Sequence, residues 1–128
     1  RLLLDARARG VDVRVLVPGP RTDVASTRWA GRSFYGELLE GGVRIYEYDA
    51  TMMHAKTIVA DGMWSVVGSM NLDNRSTRLN DEAALLVYDV GTGATLDSIF
   101  TASSKRSCIF MDSEMTSSKF CTRYWAYG

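Results

Sequence analysis

Apolar residues fall into short, mostly β-branched runs, cut apart by turns rich in glycine, proline and aspartate. Asp12 to Val17 is such a run and Pro18-Gly19-Pro20 closes it, which predicts a strand and a turn. Thr22 or Asp23 can cap a following helix; Trp29, Phe34, Tyr35, Leu38 and Leu39 form its apolar face, and Gly41-Gly42 ends it. Val43 to Tyr48 alternates and predicts a second strand. His54 to Ala60 predicts a third, Asp61-Gly62 a tight turn, and Trp64 to Val67 a fourth strand paired with the third. Asn71 to Arg78 is a polar loop or short helix, Ala83 to Tyr88 a fifth strand, and Thr92 to about Phe100 a helix. Strand, helix, strand, hairpin and strand in that order imply an α/β fold, a mixed sheet flanked by helices. The first strand–helix–strand unit should be parallel.

Both ends read differently from the middle. Arg1 to Gly10 resembles the close of a helix, with Gly10 at its C-terminal position. Sequence is therefore expected to precede it, carrying any targeting or membrane segment. From Thr101 to Gly128 no sustained period is visible, so residues 101–128 are expected to be a divergent tail with one helix at most, and 1–100 the domain proper. Cys108 and Cys121 both lie in the tail, and the expectation is two spare thiols rather than a disulfide or zinc site.

Composition narrows the class. Of 128 residues, 46% are hydrophobic and 23% charged, as in ordinary globular domains. Formal net charge is zero, so the long-range basic field of a nucleic-acid binder is absent. No apolar run reaches the length of a membrane-spanning helix.

The chemistry concentrates in one stretch. His54, the only histidine, opens His54-Ala55-Lys56, followed by Asp61 and then Gly68-Ser69-Met70-Asn71. On a strand, His54 and Lys56 project from one face. The hairpin brings Ser69 almost opposite His54, with Asn71 on the same side, and Gly68 leaves room for close approach to the backbone. Lys56 supplies a charge against a phosphodiester, and Ser69 and Asn71 supply donors for its oxygens. His54 can attack phosphorus or protonate the leaving oxygen. It cannot do both in one step, because attack and departure occur on opposite sides of phosphorus. A second histidine is required. No metal-ligand set is present, so no metal or other cofactor is expected. Six specified positions, each at roughly 5% usage, coincide on the order of once in 10⁸ starts.

His54, Lys56, Asp61, Gly68, Ser69 and Asn71 resemble the HKD signature of the phospholipase D superfamily. The wider run through Leu72-Asp73-Asn74-Arg75-Ser76 to Leu79-Asn80-Asp81-Glu82 is most similar to the C-terminal half of bacterial cardiolipin synthases, and the resemblance covers about Leu2 to Phe100. It implies a phospholipase D-like half-domain acting as a phosphatidyltransferase through a phosphohistidine. The acceptor would be an alcohol, phosphatidylglycerol. A second HKD half, in cis or from a homodimer, would complete the site. It assigns catalysis to His54, Lys56, Asp61 and Glu82, phosphate binding to Lys56, Ser69 and Asn71, and to Glu82 the orientation of an imidazole. The reading of the residues themselves keeps Asp61 as a turn residue. The implied partners are phospholipid and the bacterial cytoplasmic membrane surface, met from the cytoplasm or peripherally, and nucleic acid is not favoured. The alternatives are a phospholipase D-type phosphodiesterase or nuclease acting as a homodimer, and an inactive fragment.

Other residues carry plainer readings. Arg75 and Arg78 are solvated or paired with Asp73 or Asp81. Met52, Met53 and Trp64 are expected to fill the core. Gly91 and Gly93 form a turn and cap rather than a phosphate loop.

Overall fold

A computed structural model describes residues 1–21, 31–69, 81–110 and the backbone of 122–123. The chain divides into two units, one of Arg1–Met53 with Ala102–Gly128, the other of His54–Thr101.

The first unit is built on strand β1 (Arg14–Pro18), helix α2 (Tyr35–Glu40) and strand β2 (Arg44–Tyr48), with helix α1 (Leu2–Ala8) ahead of them. β1 and β2 run parallel, in the register Val15 opposite Ile45. Helices α1 and α2 end alike. After α1, Gly10 takes a φ of 88°, its N–H bonds to Arg7 O and that of Val11 to Ala6 O; after α2, Gly42 takes 81°, bonding to Leu39 O, and Val43 to Leu38 O. Both are glycine-terminated Schellman endings, which satisfy the last carbonyls of a helix. The Arg7 guanidinium joins them, Nε donating to Gly42 O and Nη1 to Val11 O.

Alternation along β2 builds the core. Val43, Ile45 and Glu47 are 1%, 0% and 1% exposed, with Tyr35 and Leu39 of α2 packed over Val43 and Ile45. Phe34, expected on the buried face, is 68% exposed. The other helix-face candidates, Thr22, Asp23 and Trp29, lie outside the described residues. Buried Glu47 is held by Arg32 through two bonds of 2.7 Å and by the Tyr35 hydroxyl at 3.4 Å. The Arg32 guanidinium lies over the Phe110 ring, which meets Tyr35 edge-on.

Phe110 comes from the segment expected to be a divergent tail. Ser107–Phe110 forms strand β6, antiparallel to β2, with Ile109 opposite Tyr46. β7 (Thr122–Arg123) adds to its other side, giving the order β1-β2-β6-β7. The segment is too short to show a period, and a buried edge of β2 is what selects it. Cys108 is disulfide-bonded rather than a spare thiol; Cys121 lies outside the described residues.

The second unit is an antiparallel sheet of β3 (Thr57–Ala60), β4 (Trp64–Gly68) and β5 (Ala84–Tyr88), followed by helix α3 (Val90–Ser104). Among the described residues the strands thus form two sheets. Asp61 and Gly62 both have positive φ, 53° and 63°, and Met63 N–H closes the turn on Ala60 O. Two consecutive positive φ values are what Asp-Gly accommodates. The Asp89 carboxylate caps α3, accepting from the Thr92 N–H and hydroxyl. Gly91 and Gly93 therefore fall within the first turn of α3. A Cβ at Gly93 would meet Gly62 O at 2.1 Å, so its lack of a side chain lets helix and hairpin touch. Trp64 is 36% and Met52 53% exposed, so neither fills a core as expected, while Met53 is half-buried.

Candidate active site

The stretch from His54 to Asn71 begins just ahead of β3. The third strand starts at Thr57, so His54, Ala55 and Lys56 form an extended lead-in and not its first residues. The reason lies across the hairpin. Ladder pairing runs from Ala60 opposite Trp64 to Thr57 opposite Val67. One further bond, Gly68 N–H to Lys56 O at 3.1 Å, extends it. The chain bends at Ser69, and among the described residues no main-chain group pairs with the backbone of His54. Ala55 is exposed, not backed by a core.

That register corrects the expected alignment by one residue. Carried outward, it sets Gly68 opposite Lys56 and Ser69 opposite Ala55 rather than His54, because the connection between Ala60 and Trp64 holds three residues, Asp61, Gly62 and Met63. Gly68 also has a role in packing. A Cβ there would lie 2.6 Å from Ala83 O, just ahead of β5, and 3.1 Å from Ala84, so the neighbouring chain already fills the space that was expected to admit phosphate.

Two pairs of side chains result. The Lys56 ammonium lies 2.8 Å from His54 Nδ1 and 2.9 Å from His54 O. An ammonium can only donate, so Nδ1 accepts, and a neutral imidazole then carries its hydrogen on Nε2. In this state Nε2 is a proton donor. It becomes a nucleophile only when the proton resides on Nδ1, which requires the Lys56 contact to open. His54 is exposed and Lys56 half-buried, so the imidazole is open to a ligand.

The second pair is Ser69 and Glu82. The Ser69 hydroxyl donates to Glu82 Oε2 and accepts from the Ala83 N–H at 3.1 Å, while Ser69 N–H bonds to Ala83 O at 3.0 Å. The two pairs sit on adjacent segments, joined through the Gly68–Lys56 bond.

Asp61 joins neither. It lies in the turn at the far end of β3, five residues of extended chain from Lys56, or about 17 Å. Its positive φ is the turn conformation that its Asp-Gly setting suggests. Asn71 and the arginines Arg75 and Arg78 lie outside the described residues. Among the described residues no three His, Cys, Asp or Glu side chains converge as a metal cluster would need. Sequence reasoning overlooked Ala83, whose main chain grips Ser69. A main-chain contact leaves no trace in residue type, so no signal could have found it.

The fold is that of the phospholipase D proteins. The crystal structure of Nuc, a phospholipase D family member from Salmonella typhimurium, matches with a TM-score of 0.72 at 16% identity, over 85% of this chain and 70% of that one. Sequence resolves the class further: residues 1–103 match the family described as cardiolipin synthase, PLD-like domain, and the chain belongs to that family. Cardiolipin synthase A of Serratia proteamaculans (strain 568) is 47% identical over 91 residues, 71% of this chain and 18% of that protein. Cardiolipin synthase A of Yersinia pseudotuberculosis serotype O:3 (strain YPIII) is 42% identical over 110 residues, 86% of this chain and 22% of that protein. The chain thus spans about a fifth of the length of these relatives.

Proposed function

We propose that this domain is one half of a cardiolipin synthase-type phosphatidyltransferase, moving a phosphatidyl group onto the alcohol of phosphatidylglycerol through a phosphohistidine. The observation that carries this reading is the Lys56 ammonium held at 2.8 Å against the single imidazole, at the edge of a hairpin. The pair combines a cation for the phosphodiester with a nitrogen that either donates a proton or attacks.

The reaction divides into two steps at phosphorus. In the first, an imidazole Nε2 lone pair bonds to phosphorus and the bond to the leaving glycerol oxygen breaks. A second imidazole gives that oxygen its proton. In the next, the same second imidazole takes the proton of the incoming alcohol, whose oxygen displaces the first imidazole. Lys56 stabilises the negative charge that builds on the phosphoryl oxygens. Asn71 is assigned the same task by the family pattern. One His54 supplies one of the two imidazoles, so a second HKD half, in cis or from another copy, supplies the other. The resting contact of Lys56 with Nδ1 favours the proton-donor role for His54. Substrate would be met at the cytoplasmic membrane surface of a bacterium. No helix among the described residues is long and apolar enough to cross a membrane.

Labelled phosphatidylglycerol tests the proposal. The chain is assayed alone over a concentration series, and together with a second HKD half, with acid-sensitive phosphohistidine trapped at each point. We expect transfer to appear only where two halves meet, and His54→Ala to reduce it by at least 10³-fold, in the range of losses seen when a reacting group is removed. Transfer at wild-type rates in His54→Ala would sink the assignment. Water in place of the acceptor alcohol would reveal the phosphodiesterase alternative as free phosphatidic acid.

A further inference from the structure

The family pattern assigns the Ser69 hydroxyl to phosphate, but its geometry points elsewhere. A serine hydroxyl has one hydrogen to give. Ser69 directs it to Glu82 Oε2, with Ala83 O a more distant acceptor at 3.5 Å, and the Ser69 hydroxyl oxygen accepts from the Ala83 N–H at 3.1 Å. A hydrogen bond to a carboxylate is charge-assisted and stronger than one between neutral groups. Donating to a phosphoryl oxygen would mean giving up that bond. The anchoring is also two-sided, because Ser69 N–H bonds to Ala83 O at 3.0 Å. The Ala83 N–H and carbonyl together therefore fix where the hydroxyl stands, and the hydroxyl bonds to one oxygen of Glu82. Lys56 is different: its ammonium has three hydrogens, two of which go to His54 Nδ1 and O, leaving one for an anion.

We infer that Ser69 is a positioning residue, holding the Glu82 carboxylate in place, and that it is not a phosphate ligand of this site. This rests on the phosphatidyltransferase reading only for the identity of the substrate. The role of Glu82 is then to act on an imidazole or substrate from an orientation that Ser69 sets. Removing either partner breaks the same bond, so the two should act as one unit.

Two arms test this. In the first, inorganic phosphate is titrated into the full chain and followed by ³¹P line broadening. Lys56→Ala should weaken phosphate binding at least tenfold, while Ser69→Ala changes it less than twofold. Weakening by Ser69→Ala as large as that of Lys56→Ala would overturn the inference. In the second, Ser69→Ala, Glu82→Ala and the double variant are compared in the preparation that turns over phosphatidylglycerol. Both single variants should lower kcat by similar factors with KM within twofold, the double variant should fall no further, and Ser69→Thr, which keeps the hydroxyl, should recover most of the rate. Losses that multiply, or a raised KM with kcat kept, would count against it. The same three variants give a double-mutant cycle on denaturant unfolding of the chain. Additive stability losses there would refute the Ser69–Glu82 contact even if no transferase activity were found, so failure of the inference is told apart from failure of the functional reading.

Discussion

At residue scale, the strongest constraint on stability is Glu47. It sits on the same face of β2 as Val43 and Ile45, and its side chain is only 2% exposed. A carboxylate cannot be left there uncompensated, because taking a charge out of water costs several kcal/mol. Arg32 supplies the compensation in bidentate geometry, and that bond in turn holds the guanidinium's own proton more tightly than in a free arginine. We expect Arg32→Ala to destabilise the fold by about 3–5 kcal/mol, the usual cost of breaking a buried pair from one side. Replacing both partners with apolar residues, as in Arg32→Met with Glu47→Leu, should cost much less. Denaturant midpoints for the single and double variants check this. The position of Glu47 was legible: strict alternation along Val43 to Tyr48 puts it on the inward face. Its partner was not, because nothing in the sequence around Arg32 says which carboxylate it will meet.

At the scale of elements, turn chemistry was the most legible part of the chain. Gly10, Gly41-Gly42 and Asp61-Gly62 were each expected to end an element, and each does. The cause is local: a left-handed backbone at the end of a helix or in a tight hairpin strongly favours glycine, with aspartate tolerated. Gly42→Ala places a Cβ in the left-handed region, 3.0 Å from Arg7 Nε. It should lower stability by roughly 1–2 kcal/mol and weaken the Arg7 bridge between the two helix ends, read by thermal or denaturant unfolding. What local pattern missed is equally particular. Strand β6 was invisible, since Ser107-Cys108-Ile109-Phe110 is four residues without a period. The start of β3 was placed three residues early, because a strand ends where its partner bends away, and the bend at Ser69 belongs to another segment. Exposure of Phe34, Trp64 and Met52 was missed for a related reason: an apolar side chain is a permit for burial, not a guarantee.

For the whole molecule, the distribution of charge makes a testable statement about pH. Asp12 accepts bonds from Arg14 and Arg44, which face each other in the β1–β2 register. Those hydrogen bonds, Arg14's above all, hold its carboxyl below the usual carboxylate range. The Asp89 carboxyl is held low by the Thr92 N–H and hydroxyl at the start of α3. A carboxyl lowered in the folded state contributes stability that is fully present above its unfolded pKa, about 3.9. The contribution is lost as pH falls through the folded value. Stability should therefore be level between about pH 5 and 7 and decline below about pH 4. Asp12→Asn should flatten part of that decline. Because the pair is exposed, it should cost no more than about 1 kcal/mol at pH 7. Denaturant midpoints at pH 7 and pH 3 for both proteins measure it.

The single-imidazole problem is also a property of the whole. On the proposed reading, a phosphodiester exchanged through a covalent histidine needs groups on both sides of phosphorus, and this chain would supply one side. The sequence by itself determined the α/β class, the glycine-marked ends, the inward face of β2 and the membership of His54, Lys56, Ser69 and Glu82 in one short region. Each of these depends on local backbone sterics or on spacing along a strand, which residue order carries directly. Only the tertiary structure decided that Gly68 faces Lys56, that Ser69 bonds to Glu82, and that β6 pairs with β2. Those facts depend on hydrogen-bond register and on contacts between segments distant in sequence, where one residue of slip changes which groups meet.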